Sequence, residues 1–180
     1  MTIEKTVKDC FVNALKDEER GRKHKGLLVT RPNQKEAEDF INKAKKNLGL
    51  CLIYKKEGFD YKISEEWFYT LYYCALAILA KFGVESRSQR CTALFLRYVK
   101  DNGVIDYNDE FINRIMVYRE KEEKSNVDER EKARYSSAVK IKEVEEQYEK
   151  MMKLCKEAIS QCEEIVFSDL EFKIPEELIV

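Results

Sequence analysis

Chain breakers are scarce here: 180 residues hold six glycines and two prolines. So few turn formers exclude an architecture of many short strands joined by tight hairpins, and they favour long helices. Histidine is rarer still, with His24 alone. The six cysteines form no C-x-x-C pair, so a zinc site has no ligand set. Charge of one sign is also missing. Lys plus Arg is 33 against 34 Asp plus Glu, a net charge of −1, so any attraction for nucleic acid must come from a local patch. No G-x-x-x-x-G-K-S/T loop, G-x-G-x-x-G turn or G-x-S-x-G elbow occurs, which removes the phosphate-loop, dinucleotide and hydrolase motifs.

Long hydrophobic runs are absent as well. The most apolar stretch, residues 67–82, is short for a bilayer span and contains Tyr69, Tyr72 and Tyr73. Residues 1–15 form a charged amphipathic run without the apolar centre of a signal peptide. These features point to a cytoplasmic protein with no membrane role. In a reducing cytosol most of Cys10, Cys51, Cys74, Cys91, Cys155 and Cys162 are expected to act as small buried hydrophobes. Richness in Lys and Glu with few Asn and Gln hints at a thermophilic source, where an intracellular disulfide would be less surprising.

What is present is helical periodicity. One amphipathic helix is expected over residues 3–20, with Ile3, Val7, Cys10, Phe11, Ala14 and Leu15 on one face. A basic connector follows at 20–26, with His24 read as a solvent-exposed loop residue. A second helix opens at Asn33, with Glu36 as capping partner, and ends near Tyr54. For the third, Ser64 is the N-cap candidate between staple residues Ile63 and Phe68, and Gly83 supplies the stop. Its near-continuous apolar surface makes it the central, most buried helix. A fourth is expected over 88–101 and a fifth over 108–124. A long sixth begins near Asp128, with a heptad-like seam from Ile141 through Tyr148 and Cys155 to Ile165 that packs within the chain. The whole chain, 1–180, reads as one domain: an N-terminal helix and connector (1–31), a bundle (32–166) and a strap along the body (167–180). The fold class is an all-α antiparallel up-and-down helical bundle: four core helices, an N-terminal helix, an extra short helix and an extended C-terminal tail.

The segment Trp67-Phe-Tyr-Thr-Leu-Tyr-Tyr-Cys-Ala-Leu-Ala-Ile-Leu-Ala-Lys-Phe-Gly83 resembles the aromatic helix of small prokaryotic HEPN-domain proteins. Val84-Glu-Ser-Arg-Ser-Gln-Arg-Cys91 then stands where that family commonly has a Lys-Ser/Thr-His-Arg-Gly type segment. Tyr118-Arg119-Glu-Lys-Glu-Glu is similar to its Leu-Arg-Gln-Glu-Ala-Asp stretch, and Lys43-Ala-Lys-Lys-Asn-Leu48 lies in what looks like its first bundle helix. The resemblance spans residues 32–165. It implies a homodimer, often paired with a minimal nucleotidyltransferase in a toxin–antitoxin arrangement. Active members of the family cleave RNA without metal, using an arginine, then four to six intervening residues, then a histidine. That histidine moves protons near neutral pH while the cation holds the phosphate.

The resemblance breaks at Gln89, which stands where many relatives have histidine, and a glutamine amide does not titrate. No arginine precedes a histidine at the family spacing, since Arg20 and Arg22 are both too close to His24. Arg87, Gln89, Arg90 and Arg119 are therefore the candidate phosphate- or partner-binding residues, because guanidinium recognition needs no base. The expectation is a catalytically degenerate HEPN-like protein that binds a partner protein, RNA or a nucleotide. The alternative is a metal-independent ribonuclease in which Tyr118 or Glu120 replaces the histidine beside Arg119. Such a base needs a pKa shifted by several units. Adjacent acids such as Glu65-Glu66 and Glu163-Glu164 point to different helix faces, so neither a metal nor a cofactor is expected.

Overall fold

A computed structural model describes residues 2–116, 126–135, 137–138 and 141–179, without the side chains of 126–129 and 132. The expected all-α bundle is observed. Its helices among the described residues are α1 (Ile3–Glu19), α2 (Gln34–Glu57), α3 (Asp60–Phe82), α4 (Gln89–Asp101), α5 (Asp109–Ile115), α6 (Asn126–Tyr135) and α7 (Lys142–Val166). Short polar side chains start several of them by accepting from the first free backbone N–H groups. Thr2 caps α1, Asn33 caps α2 through Glu36 N at 3.0 Å, Ser88 caps α4 through Cys91 N, and Asn108 caps α5.

α3 is the axis of the molecule. Fourteen of its 23 residues are buried, including Trp67, Phe68, Leu71, Ile78 and Leu79. It packs along α2 and α7, with α4, α5 and α6 closing the rest. The seam read on α7 does face inward: Val144, Tyr148, Met151, Cys155, Ala158, Cys162 and Ile165 are all buried. Each fully buried Leu, Ile or Phe contributes about 1.5–3 kcal/mol. The tail is the expected strap. Phe172 lies 5.1 Å from Phe82 between ring centres, Leu178 is buried, and Tyr98 Oη donates to Glu177 at 2.5 Å. That bond to a carboxylate, with burial second, pushes the Tyr98 hydroxyl up to about 12.

Four local expectations need correction. Ser64 is not a cap: α3 begins a turn earlier, after Phe59, and Ser64 lies buried within it. The apolar residues around it belong to a helix already under way. α2 runs on to Glu57, where Gly58 takes the left-handed conformation. α5 stops at Ile115, where Met116 is extended (ψ 132), and the rest of the expected span to 124 lies outside the described residues. The long sixth helix is two, α6 and α7, since Ile141 is itself extended at the start of α7.

The fold also contains a small sheet that periodicity did not reveal. β1 (Leu27–Val29) pairs antiparallel with β2 (Val84–Ser86), matching Leu27 to Ser86 and Val29 to Val84. Gly83 makes this possible. Its φ is +77, and a Cβ there would sit 2.7 Å from Thr30 O.

Cys10 and Cys91 form a disulfide, Cα atoms 6.0 Å apart, tying α1 to the first turn of α4. The buried-hydrophobe expectation therefore fails for this pair and holds for Cys51, Cys74, Cys155 and Cys162, which are free and buried. Burial pushes the Cys51 thiol up to about 12 and Cys155 well above its ordinary value; Cys162 is raised first by its hydrogen bond with Cys74 and then by burial. The disulfide closes a loop across a sequence separation of 81. On loop-entropy grounds it stabilises the fold by about 4 kcal/mol. Urea unfolding with and without a dithiol reductant should show a lower midpoint for the reduced protein. Identical midpoints would mean that the bond does not support the fold.

Candidate functional site

The predicted Arg87, Gln89 and Arg90 fall within one stretch that leaves β2 and enters α4. Ser86 and Ser88 shape the turn: Ser88 N–H donates to Ser86 Oγ at 3.2 Å, and Thr92 Oγ1 donates to Ser86 Oγ at 2.7 Å. Arg87 is exposed, while Gln89 and Arg90 are half-buried in the first turn of α4. Tyr118, Arg119 and Glu120 lie outside the described residues.

The basic connector folds onto this same place. Arg87 N–H donates to Gly26 O at 3.1 Å, so Lys25 arrives next to the start of α4. Gly26 can be nothing larger, because a Cβ would sit 2.3 Å from Cys10 O and 3.2 Å from Ala14 Cβ. The disulfide, the glycine and the sheet thus hold residues 61 positions apart against one another. Arg22 is paired with Asp17 at 3.0 Å and Arg87 with Glu85 at 2.9 Å. Arg20, Lys23, Lys25 and Arg90 pair with no carboxylate among the described residues. A local excess of positive charge therefore exists in a chain whose net charge is near zero.

His24 overturns its sequence reading. It is 1% exposed, not a solvated loop residue. Nδ1 accepts from Gly26 N–H at 3.4 Å, and Nε2 therefore carries the proton donated to Glu85 Oε1 at 3.2 Å. Arg87 Nε donates to the same oxygen. The ring is a buttress between the connector and β2, with both nitrogens used. Partial burial of Glu85 works against its ionisation, but the hydrogen bonds from His24 and Arg87 outweigh this and hold the carboxyl below its ordinary range.

Beside this cluster runs an aromatic row that sequence reading assigned to the core alone. The Tyr72 hydroxyl lies beside Thr92, one turn into α4 and on the same helical face as Gln89. Phe68 stacks on Tyr72 at 5.7 Å, Tyr69 on Tyr73 at 5.8 Å, and Tyr73 on Phe40 of α2 at 6.1 Å. Two cations lie on the rings: Lys43 Nζ at 5.5 Å from both Phe40 and Tyr73, and Arg130 Cζ at 4.3 Å from Phe68. Burial raises the hydroxyls of Tyr72 and Tyr73, so both stay neutral across the physiological range. Among the described residues, no group of three or more His, Cys, Asp or Glu is placed to hold a metal ion. No helix there is long and apolar enough to cross a membrane.

Comparison of the chain with protein-family models, with curated proteins and with solved structures finds no match.

A carboxylate with a depressed folded-state pKa contributes stability that is present above its unfolded value near 4.3 and is lost as pH falls through the folded one. Glu85→Gln should therefore lower the urea midpoint at pH 7, and the gap from wild type should close by about pH 3. A gap that persists at low pH would remove the ionised Glu85 from the buttress.

Proposed function

We propose that the chain is a HEPN-like binding protein that has lost the family's ribonuclease chemistry and holds the phosphates of single-stranded RNA or a nucleotide at the start of α4. The observation that carries this proposal is the pairing of a locked histidine with free cations. The only histidine has both ring nitrogens engaged inside the fold, whereas Arg90 and Lys25 flank the helix start without an acidic partner among the described residues. Gln89 occupies the place of the family's base and offers an amide, which can donate or accept but cannot carry a proton through a reaction.

The chemistry needed for binding is present. Guanidinium groups recognise phosphate through paired N–H donors, and the first turn of a 13-residue helix adds its free N–H groups and partial positive charge. The neutral rings of Tyr69 and Tyr73 would stack on bases without regard to their identity. Homodimerisation, and pairing with a minimal nucleotidyltransferase, belong to the same proposal through the HEPN resemblance.

The test is anisotropy of a fluorescein-labelled oligouridine titrated with the full chain at several KCl concentrations. For single strands, log K falls with log salt by about 0.7 per phosphate neutralised. Arg87→Ala/Arg90→Ala should reduce that slope by roughly 1.4 and weaken binding at every salt. An unchanged slope, or no binding by wild type at 50 mM KCl, would overturn the proposal.

A further inference from the structure

The disulfide stands at the edge of the candidate site. Cys91 is the third residue of α4, directly after Arg90, and its N–H donates to the capping Ser88 Oγ at 3.2 Å. Its partner Cys10 lies on α1, whose backbone forms the wall behind the basic connector: a Cβ at Gly26 would sit 2.3 Å from Cys10 O. Gly26 O in turn accepts from Arg87 N–H. One bond therefore clamps α1, the connector and the start of α4 together.

What that bond holds is peripheral to the core. α1 packs on α4, β1 and the 3-10 turn Glu176–Leu178, and makes no comparable contact with α2, α3 or α7. Val7, Phe11 and Ala14 are its buried residues, and Phe11 meets Phe95 edge-on at 6.2 Å. Without the bond these contacts remain to bring α1 back, but the wall behind Gly26 then rests on noncovalent packing alone.

Selectivity for this bond is built in. Cys10 and Cys91 are 6% and 7% exposed, whereas Cys51, Cys74, Cys155 and Cys162 are all at 0%. Attack on a disulfide needs a thiolate, and burial keeps the Cys51 and Cys155 thiols protonated. A reagent arriving from solvent therefore meets this pair before any other cysteine.

We propose that the Cys10–Cys91 bond is a redox switch on the phosphate site, an inference that rests on the phosphate-binding reading above. Oxidised, the bond holds the connector against the start of α4, so that Lys25 and Arg90 converge. Reduced, the connector and the first turn of α4 loosen, and phosphate binding weakens. The step is exchange with a dithiol: two successive thiolate displacements break the Cys10–Cys91 S–S bond and leave two cysteine thiols. The dithiol becomes its own disulfide, and two electrons and two protons pass to the protein.

The test compares the full chain as oxidised, as reduced with dithiothreitol, and as reoxidised with oxidised glutathione. Thiol titration in denaturant should count four thiols in the oxidised chain and all six cysteines in the reduced one. Labelled oligouridine should bind the reduced form at least about fivefold more weakly, because the loosened connector must be ordered on binding. Reoxidation should restore the affinity. Cys10→Ser/Cys91→Ser should match the reduced wild type and ignore the reductant. Hydrogen exchange separates this from unfolding: on reduction, protection should fall over 3–26 and 86–92 while α2, α3 and α7 keep theirs. Equal affinity of the two redox forms, with the oxidised form binding, would overturn the switch and leave the phosphate reading standing. Unchanged protection at the connector would also overturn it. So would lost protection across α2, α3 and α7, because the bond would then be a staple of the whole fold. No binding by the oxidised form at low salt would overturn the phosphate reading and the switch with it.

Discussion

The burial of α3 on nearly every side is the constraint from which the rest of the molecule follows. A helix carrying Trp67, Phe68, Leu71, Ile78 and Leu79 on overlapping faces cannot rest on one neighbour and leave the other side wet. α2 and α7 take most of it, and α4, α5 and α6 cover the remainder. Because α3 must end sharply to let the chain return, Gly83 turns left-handed and delivers β2 against β1. That pairing sets where α4 begins. The position of Arg87, Gln89 and Arg90 is thus a consequence of how the central helix is wrapped.

Local signals in the chain made much of this legible. The spacing of apolar residues, the Asn33 cap and the Gly83 stop correspond to observed features. Failures occurred where a long-range contact decided the outcome. Ser64 looks like a cap when read locally, but Ile63 and Phe68 around it are already held inside the bundle. Nothing within residues 20–26 reports that His24 will meet Glu85, 61 positions away. The same holds for Cys10 and Cys91, whose pairing depends on α1 crossing the start of α4. The long sixth helix is expected to begin near Asp128, yet the three-and-four pattern itself starts only at Ile141, where α7 begins.

The candidate site divides along the same line. Its residue types were visible: arginines and a glutamine at a helix start, and a basic connector. Their convergence was not, because it depends on the backbone bond from Arg87 to Gly26 and on the bare Cα of Gly26 against Cys10. The locked histidine gives this geometry its functional meaning. A ring that braces a connector cannot also serve as a mobile general base, whereas cations around a helix start need only be present to hold a phosphate. The aromatic row with Lys43 and Arg130 extends that surface along α3.

The most direct measurement is a metal-free incubation of the purified chain with mixed single-stranded RNAs, scored for 2′,3′-cyclic phosphate ends. With His24 holding β2 to the connector, the RNA should emerge intact from a complex that depends on Arg87 and Arg90. Cyclic ends that appear with wild type and disappear in Arg90→Ala, with the fold unchanged, would contradict the loss of catalysis.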